Sequence, residues 1–267
     1  MPRSIGSGNF YPSGSFGNSA VHERSVRGDT RFPHPYCSIR LRKAMKTGLR
    51  VPLVSSDAAS RYMRVVADAE KILLGDRFAE AFAYASRLHA TQTRKAKTTP
   101  YISHLMAVSS MVLECGGGEE EAMAALLHDA AEDQGGQATL DVIAERFGAR
   151  VAGIVEECSD SLVDTRQEKR PWRQRKEEFL ERLVGASPGC RLVTACDKLH
   201  NLSDVLADHA VVGEALWERF SGGREGSAWY YREISRILAP DGNRATRELV
   251  LASARLDRAL GLGGEDG

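Results

Sequence analysis

Residues 119–136 read EEEAMAALLHDAAEDQGG. Three glutamates open the stretch, the charge sign favoured at a helix N-terminus, and Gly135-Gly136 close it. Between them AMAALL is apolar on every side, which predicts a helix from Glu119 to Asp133 buried in the core rather than lying on it. Its end nevertheless carries four polar residues in six positions: His128, Asp129, Glu132 and Asp133. Glu132 follows His128 by four residues and Asp133 follows Asp129 by four, so a helix stacks each acid above its predecessor, facing one cavity. Acids that were merely solvated would not follow an all-apolar run.

The pattern on either side is helical from about residue 57. Asp76 is expected to cap a helix with Phe78, Phe82, Ala85 and Leu88 near a 3.6-residue period, ending around Thr91. The basic loop QTRKAKTTP follows, closed by Pro100. A second helix is expected from Ile102 to Cys115, stopped by Gly116-Gly117-Gly118. Short helices follow at about 139–147 and 149–158, separated by Gly148. RQEKRPWRQRKEEFLERL predicts a solvent-exposed helix after Pro171, and GCRLVTACDKLHNLSDVLADH a buried one. Beyond Val211, two or three amphipathic helices carry Trp217, Phe220, Trp229, Tyr230 and Tyr231. Packing on the core is the default for such aromatics; a homo-oligomer interface is the alternative. No strand alternation, internal repeat or Gly-rich phosphate loop appears. The fold class is all-α, with an arm over 1–56, a core over 57–210 and a C-terminal helical extension over 211–267.

The 267 residues are 42% hydrophobic and 27% charged, as in ordinary globular proteins. No apolar run approaches the roughly 18 residues that span a membrane. Five scattered cysteines without a CxxC read as reduced thiols of a cytoplasmic protein. The zero net charge conceals an asymmetry: residues 1–56 carry nine Lys/Arg against two Asp/Glu, the remainder 27 against 34. A basic arm can attract nucleic acid, but its Gly/Ser-rich start without periodicity predicts disorder, and nucleic acid is not expected as a partner. The arm lacks the h-region of a secretory signal. An alternative is that it precedes the true start, since Met45 and Met63 both come before the ordered pattern.

Four residues could hold a metal: His104, His128, Asp129 and Asp197. Two imidazoles and two carboxylates suit one divalent ion such as Mn, Fe or Zn. Adjacent helical residues point about 100° apart, so His128 and Asp129 can grip one ion only if other helices bring His104 and Asp197 to them. A carboxylate beside such an ion can orient a water, accept its proton or hand one to a leaving oxygen. In the basic loop, Arg94 and Lys95 could face phosphate charge, Arg by bidentate contacts; taken alone, such a loop is more often a solvated surface.

The order of those four ligands resembles that of HD phosphohydrolases, and linked motifs narrow the resemblance. YASRLHATQTRK (84–95), PYISH (100–104), AALLHDAAED (124–133), ATLDVIAERFGARVAGIVEECSDS (138–161) and SPGCRLVTACDKLHNL (187–202) are similar to the RelA/SpoT-type alarmone hydrolases, above all the hydrolase-only forms. The likeness covers about residues 76–208. It implies an HD-domain helical bundle that binds one Mn2+ through His104, His128, Asp129 and Asp197. It implies release of pyrophosphate from the 3′ position of ppGpp or pppGpp, with Glu132 and Asp133 activating water and Arg94, Lys95 and Asn201 binding the nucleotide. His89 matches a recurring histidine for which a hydrogen-bonded structural role is expected. Three positions depart from the pattern: Leu105 where a Pro is usual, Gln134 where a Thr often follows the acidic pair, and Asp204 where long Rel-type enzymes often carry Thr. An acid at 204 would repel a 5′-polyphosphate, which leaves open another nucleotide of the same fold's repertoire, the 2′-phosphate of NADPH or a (p)ppApp-like compound. Neither length nor motifs after residue 208 suit a synthetase domain.

Overall fold

The apolar run at 122–127 organises the helices around it. In the computed structural model, which describes residues 72–162 and 170–262, Ala122 to Leu127 are no more than 1% exposed. The helices are α1 (Asp76–Leu88), α2 (Ile102–Glu114), α3 (Glu119–Leu127), α4 (Ala130–Asp133), α5 (Gln137–Phe147), α6 (Ala149–Cys158), α7 (Trp172–Val184), α8 (Pro188–Val212), α9 (Gly223–Leu238) and α10 (Arg244–Ala259), with 3-10 segments at Gly213–Arg219 and Ala239–Asp241. α1, α2, α6 and α8 all pack on α3. Among the described residues every regular element is helical, and an isolated antiparallel bridge, Thr93 to Pro100, pins the ends of the basic loop. The all-α expectation holds. The arm at 1–56, and residues 57–71 of the expected core, lie outside the described residues.

Local chemistry sets the helix ends that matter for the site. The Ser187 hydroxyl accepts from the Cys190 amide at 3.2 Å, and Pro188 takes the first helical position, where its missing N–H costs nothing. That start fixes the register of α8, and so the direction of Asp197. Between α2 and α3 the chain turns so tightly that a Cβ on Gly117 would lie 2.5 Å from Val112 Cγ1. The Glu121 carboxylate then accepts from the Gly118 amide at 3.0 Å, satisfying a donor at the start of α3.

Several expectations need correction. The helix expected from Glu119 to Asp133 is two helices, broken at His128 and Asp129. Both residues keep right-handed dihedrals, Asp129 near φ −95° and ψ −2°, so the chain steps sideways without reversing. Asp76 is the first helical residue of α1 rather than its cap; Gly75 holds the cap position, and its amide donates to Glu119 at 2.6 Å. Phe82, read as part of the buried stripe, is 38% exposed, while Ala81 and Ala85 line the core. α7 is not a solvent helix: Phe179, Leu180 and Leu183 are buried, and Arg175 and Lys176 turn inward.

The C-terminal helices supply core as well. α10 buries Leu249 and Leu256 and packs against α8 and α9. α9 carries Tyr230 and Tyr231, both buried. It meets Trp172 of α7 so closely that a Cβ on Gly222 would lie 2.6 Å from the indole ring. No helix among the described residues is long and apolar enough to cross a membrane.

Candidate active site

His104 comes from the first turn of α2, His128 and Asp129 from the step between α3 and α4, and Asp197 from α8. His104 Nε2 lies 3.1 Å from Asp197 Oδ1 and 3.8 Å from Asp129 Oδ2. His128 Nε2 lies 3.0 Å from Asp129 Oδ2 and 3.7 Å from Asp197 Oδ1. Ligand atoms of His104, His128 and Asp129 fall within 4.8 Å of one another. Despite these short separations, neither Nε2 atom has a hydrogen bond of acceptable geometry, although both are buried. Nitrogen and oxygen atoms that approach so closely without pairing are aimed at a common point. Separations of 3.0–3.8 Å are the edges expected of donors placed about 2.1 Å from one ion.

The surroundings fix the orientation of these atoms. His128 Nδ1 lies 2.8 Å from the Ala125 carbonyl, which can only accept, so Nδ1 carries a proton and Nε2 is the atom presented to the cage. His104 Nδ1 faces His200 Nδ1 at 3.0 Å; a lone pair on His104 Nε2 requires Nδ1–H to donate there. Tyr101 donates to Asp129 Oδ2 at 2.5 Å. Lys198 and Asn201 donate to Asp197 Oδ2 and Oδ1, each at 2.5 Å. Burial raises the Asp197 carboxyl, but Lys198 and the two imidazoles override it and hold the group well below the usual carboxylate range. His128 is depressed by burial yet ends well above an ordinary histidine because Asp129 and Asp197 face it. His104 is lowered, burial outweighing Asp197. The donor set and its unpaired Nε2 atoms fit a divalent transition ion.

The two acids one turn on do not share one cavity, contrary to the expectation from the sequence. Glu132 lines a narrow cavity with His128, Asp129, Asp160, Lys176, Asp197 and Lys198. Arg175 stands 3.8 Å from Glu132 Oε1, and the Asp160 amide 3.4 Å from Oε2. Asp133 lies on the other flank, where Gln92 donates to Oδ2 at 2.8 Å. The Gln92 amide oxygen in turn accepts from His89 Nδ1 and from Gln134, each at 2.7 Å. Glu132 and Asp133 are neighbours on α4, and adjacent helical residues point about 100° apart, which sends the two acids to different flanks.

Arg94 and Asn201 come together: the guanidinium donates to Asn201 Oδ1 at 2.7 Å and to Asp204 at 3.0 Å. Asn201 thereby bridges Arg94 to Asp197. Lys95 is exposed, its ammonium 5.3 Å from the centre of the Phe220 ring, while Lys97 reaches Asp204 and Asp208. Sequence reasoning passed over Tyr101, although it lies inside PYISH, and over Lys198 and His200, although both lie inside DKLHN. Arg175 and Lys176 were missed because a charged run reads as surface, and Asp160 because its burial beneath them is not visible in the sequence. Asp160 is buried beneath both cations, Lys176 donating to it at 2.6 Å, and they hold its carboxyl at about 2 against the opposing effect of burial.

A helical bundle with a His/His-Asp/Asp cage is the architecture of an HD domain. The HD domain family matches residues 81–226, more than half of the chain, and the protein belongs to that family. It is 38% identical over 129 residues to guanosine-3′,5′-bis(diphosphate) 3′-pyrophosphohydrolase MESH1 of Homo sapiens, spanning 47% of this chain and 68% of that one. A guanosine-3′,5′-bis(diphosphate) 3′-pyrophosphohydrolase of Aquifex aeolicus is 33% identical over 143 residues, 51% of this chain and 19% of the longer relative. Among solved structures, a metazoan ortholog of SpoT that hydrolyzes ppGpp superposes with a TM-score of 0.55 at 29% identity, covering 72% of this chain and all of that one.

Proposed function

We propose that the protein is a metal-dependent 3′-pyrophosphohydrolase of ppGpp and pppGpp, yielding GDP or GTP and pyrophosphate. The observation that carries the reading is the pair of buried, unpaired Nε2 atoms converging with two carboxylates, one turn before Glu132 and Asp133, in a chain whose relatives bear that activity in their names. His104, His128, Asp129 and Asp197 hold the ion, and Mn2+ is the expected occupant, another divalent transition ion being compatible with the donor set. When bound, the ion supplies Lewis acidity and makes water a nucleophile near neutral pH.

The chain's own residues do the rest. Glu132, on the cavity wall, orients the attacking water and accepts its proton. Asp133, fixed by the His89–Gln92 chain, supports the water from the opposite flank. Arg94 and Asn201 bind the nucleotide, with Lys95 at its exposed edge. Tyr101 and Lys198 keep Asp129 and Asp197 ionised and oriented. The cytoplasm suits a chain whose described cysteines are unpaired, including Cys158 and Cys190 with their sulfurs 3.7 Å apart.

The test is product identification with purified protein, Mn2+ and a panel of ppGpp, pppGpp, ppApp and NADPH. Highest kcat/KM on a guanosine 3′-diphosphate, with one pyrophosphate released per GDP or GTP, is the expected result. Preference for NADPH or ppApp would transfer the same chemistry to that nucleotide; inertness towards all four would refute the reading.

A further inference from the structure

Tyr230 stands on α9, beyond the residues matched by the HD domain family. It is 7% exposed, its hydroxyl is shut off from solvent, and that hydroxyl has no hydrogen-bond partner among the described residues. Leaving a buried hydroxyl unsatisfied costs about 1–3 kcal/mol, so a phenol placed this way has a partner missing from the bare protein. The ring cannot easily swing away: it is packed edge-on against Trp172 at 6.2 Å and beside Trp229 and Tyr231.

The cavity that Tyr230 lines is the one holding Asp129, Glu132 and Asp197. Lys176 and Lys198 flank the phenol, their ammonium nitrogens 5.1 and 5.9 Å from its ring centre. Lys176 spends one donor on Asp160 Oδ2 at 2.6 Å and Lys198 one on Asp197 Oδ2 at 2.5 Å. An ammonium has three donors, so each lysine keeps two for a ligand. Two cations and a hydroxyl donor thus meet beside the cage, a combination that suits an anion rich in acceptor oxygens.

We propose that Tyr230, with Lys176 and Lys198, seats the outer phosphate of the departing diphosphate, the phenol donating to a non-bridging oxygen. This rests on the pyrophosphohydrolase reading, since a diphosphate offers one phosphate to the cage and another to a second seat, whereas a single phosphate has only one to offer. Tyr230 is then a substrate-binding residue supplied by the C-terminal helices, and it favours 3′-diphosphates over 3′-monophosphates.

The experiment is calorimetric titration of the Mn2+-loaded full chain with inorganic pyrophosphate and, separately, inorganic phosphate. Tyr230→Phe removes only the hydroxyl and keeps the ring packing. Pyrophosphate should bind about tenfold more weakly, the value of one hydrogen bond to a charged acceptor. Phosphate binding should change less than about twofold on the same scale, and Tm should hold or rise because the orphaned group is gone. Tyr230→Met, should the first variant fold poorly, should show the same selective loss. Pyrophosphate affinity within twofold of wild type, or equal weakening for both anions, would overturn the seat. Binding is read without turnover, so the two proposals fail separately. A chain inert towards ppGpp whose Tyr230→Phe variant still loses pyrophosphate selectively keeps the seat and loses the reaction. A chain active on ppGpp whose variant binds pyrophosphate unchanged keeps the reaction and loses the seat.

Discussion

In the cage, two imidazole Nε2 atoms lie 3.0–3.8 Å from carboxylate oxygens and hydrogen-bond to none of them; one turn further along α8, Arg94 donates to Asn201 and Asp204 at 2.7 and 3.0 Å. Both regions are dense in charge, but only the second is satisfied by its own partners. Atoms in the cage need a cation to complete them. Those around Arg94 are complete already, so a nucleotide has to displace Asp204 to win the guanidinium. The first region is therefore expected to govern whether chemistry happens, the second how tightly the nucleotide is held.

Separate substitutions can break that division. Asp129→Ala should lose the ion and reduce pyrophosphate release by about 10³-fold or more, while Glu132→Ala should lose activity by about 10²–10⁴-fold with the ion retained. Substantial turnover in either would remove the assigned roles. Arg94→Ala should raise KM by about 10–100-fold with kcat nearly unchanged, the signature of lost binding shared by ground and transition states. A fall in kcat instead would place Arg94 in the chemistry.

Acidity sharpens the contrast. His128 is held well above an ordinary histidine by Asp129 and Asp197, so its extra proton stabilises the metal-free fold fully below about pH 6.5, and that contribution fades as pH rises through the folded value. His104, lowered by burial, acts in the other window and costs stability only as pH falls below about 6.5. The proton on His128 competes with the ion, so Mn2+ affinity should rise with pH by up to about tenfold per unit above neutrality until His128 has titrated. Flat affinity from pH 6.5 to 8.5 in metal titrations would contradict this. The smallest effect is expected at Asp204 on α8: its side chain is 38% exposed, and Asp204→Asn should lower the KM for ppGpp by about threefold, within the range of exposed ion pairs. A raised KM would mean that Asp204 helps binding.

Much of this is legible in the sequence. The end of α2 is written in Gly116-Gly117-Gly118, because a helix stop is local chemistry. The candidate ligands His128 and Asp129 stand out because they follow an all-apolar run, whereas His104 gains weight only in combination with the others. The step at 128–129 was not legible: both residues keep helical dihedrals, and the offset comes from packing rather than from a breaker residue. Nor was the inward turn of Arg175 and Lys176, since a run of charges reads as surface until the partner, here Asp160, is known to be buried beneath it. Tyr230 carried only the signal of a buried aromatic; that its hydroxyl is left without a partner is a fact of three dimensions.

The most direct measurement is calorimetric titration of metal-stripped protein with Mn2+, beside Asp197→Asn and His104→Ala. One ion per chain in the wild type, and none bound with comparable affinity in either variant, is the predicted result. Binding that survives both substitutions, or no binding by the wild type, would mean that the four side chains do not act as one site.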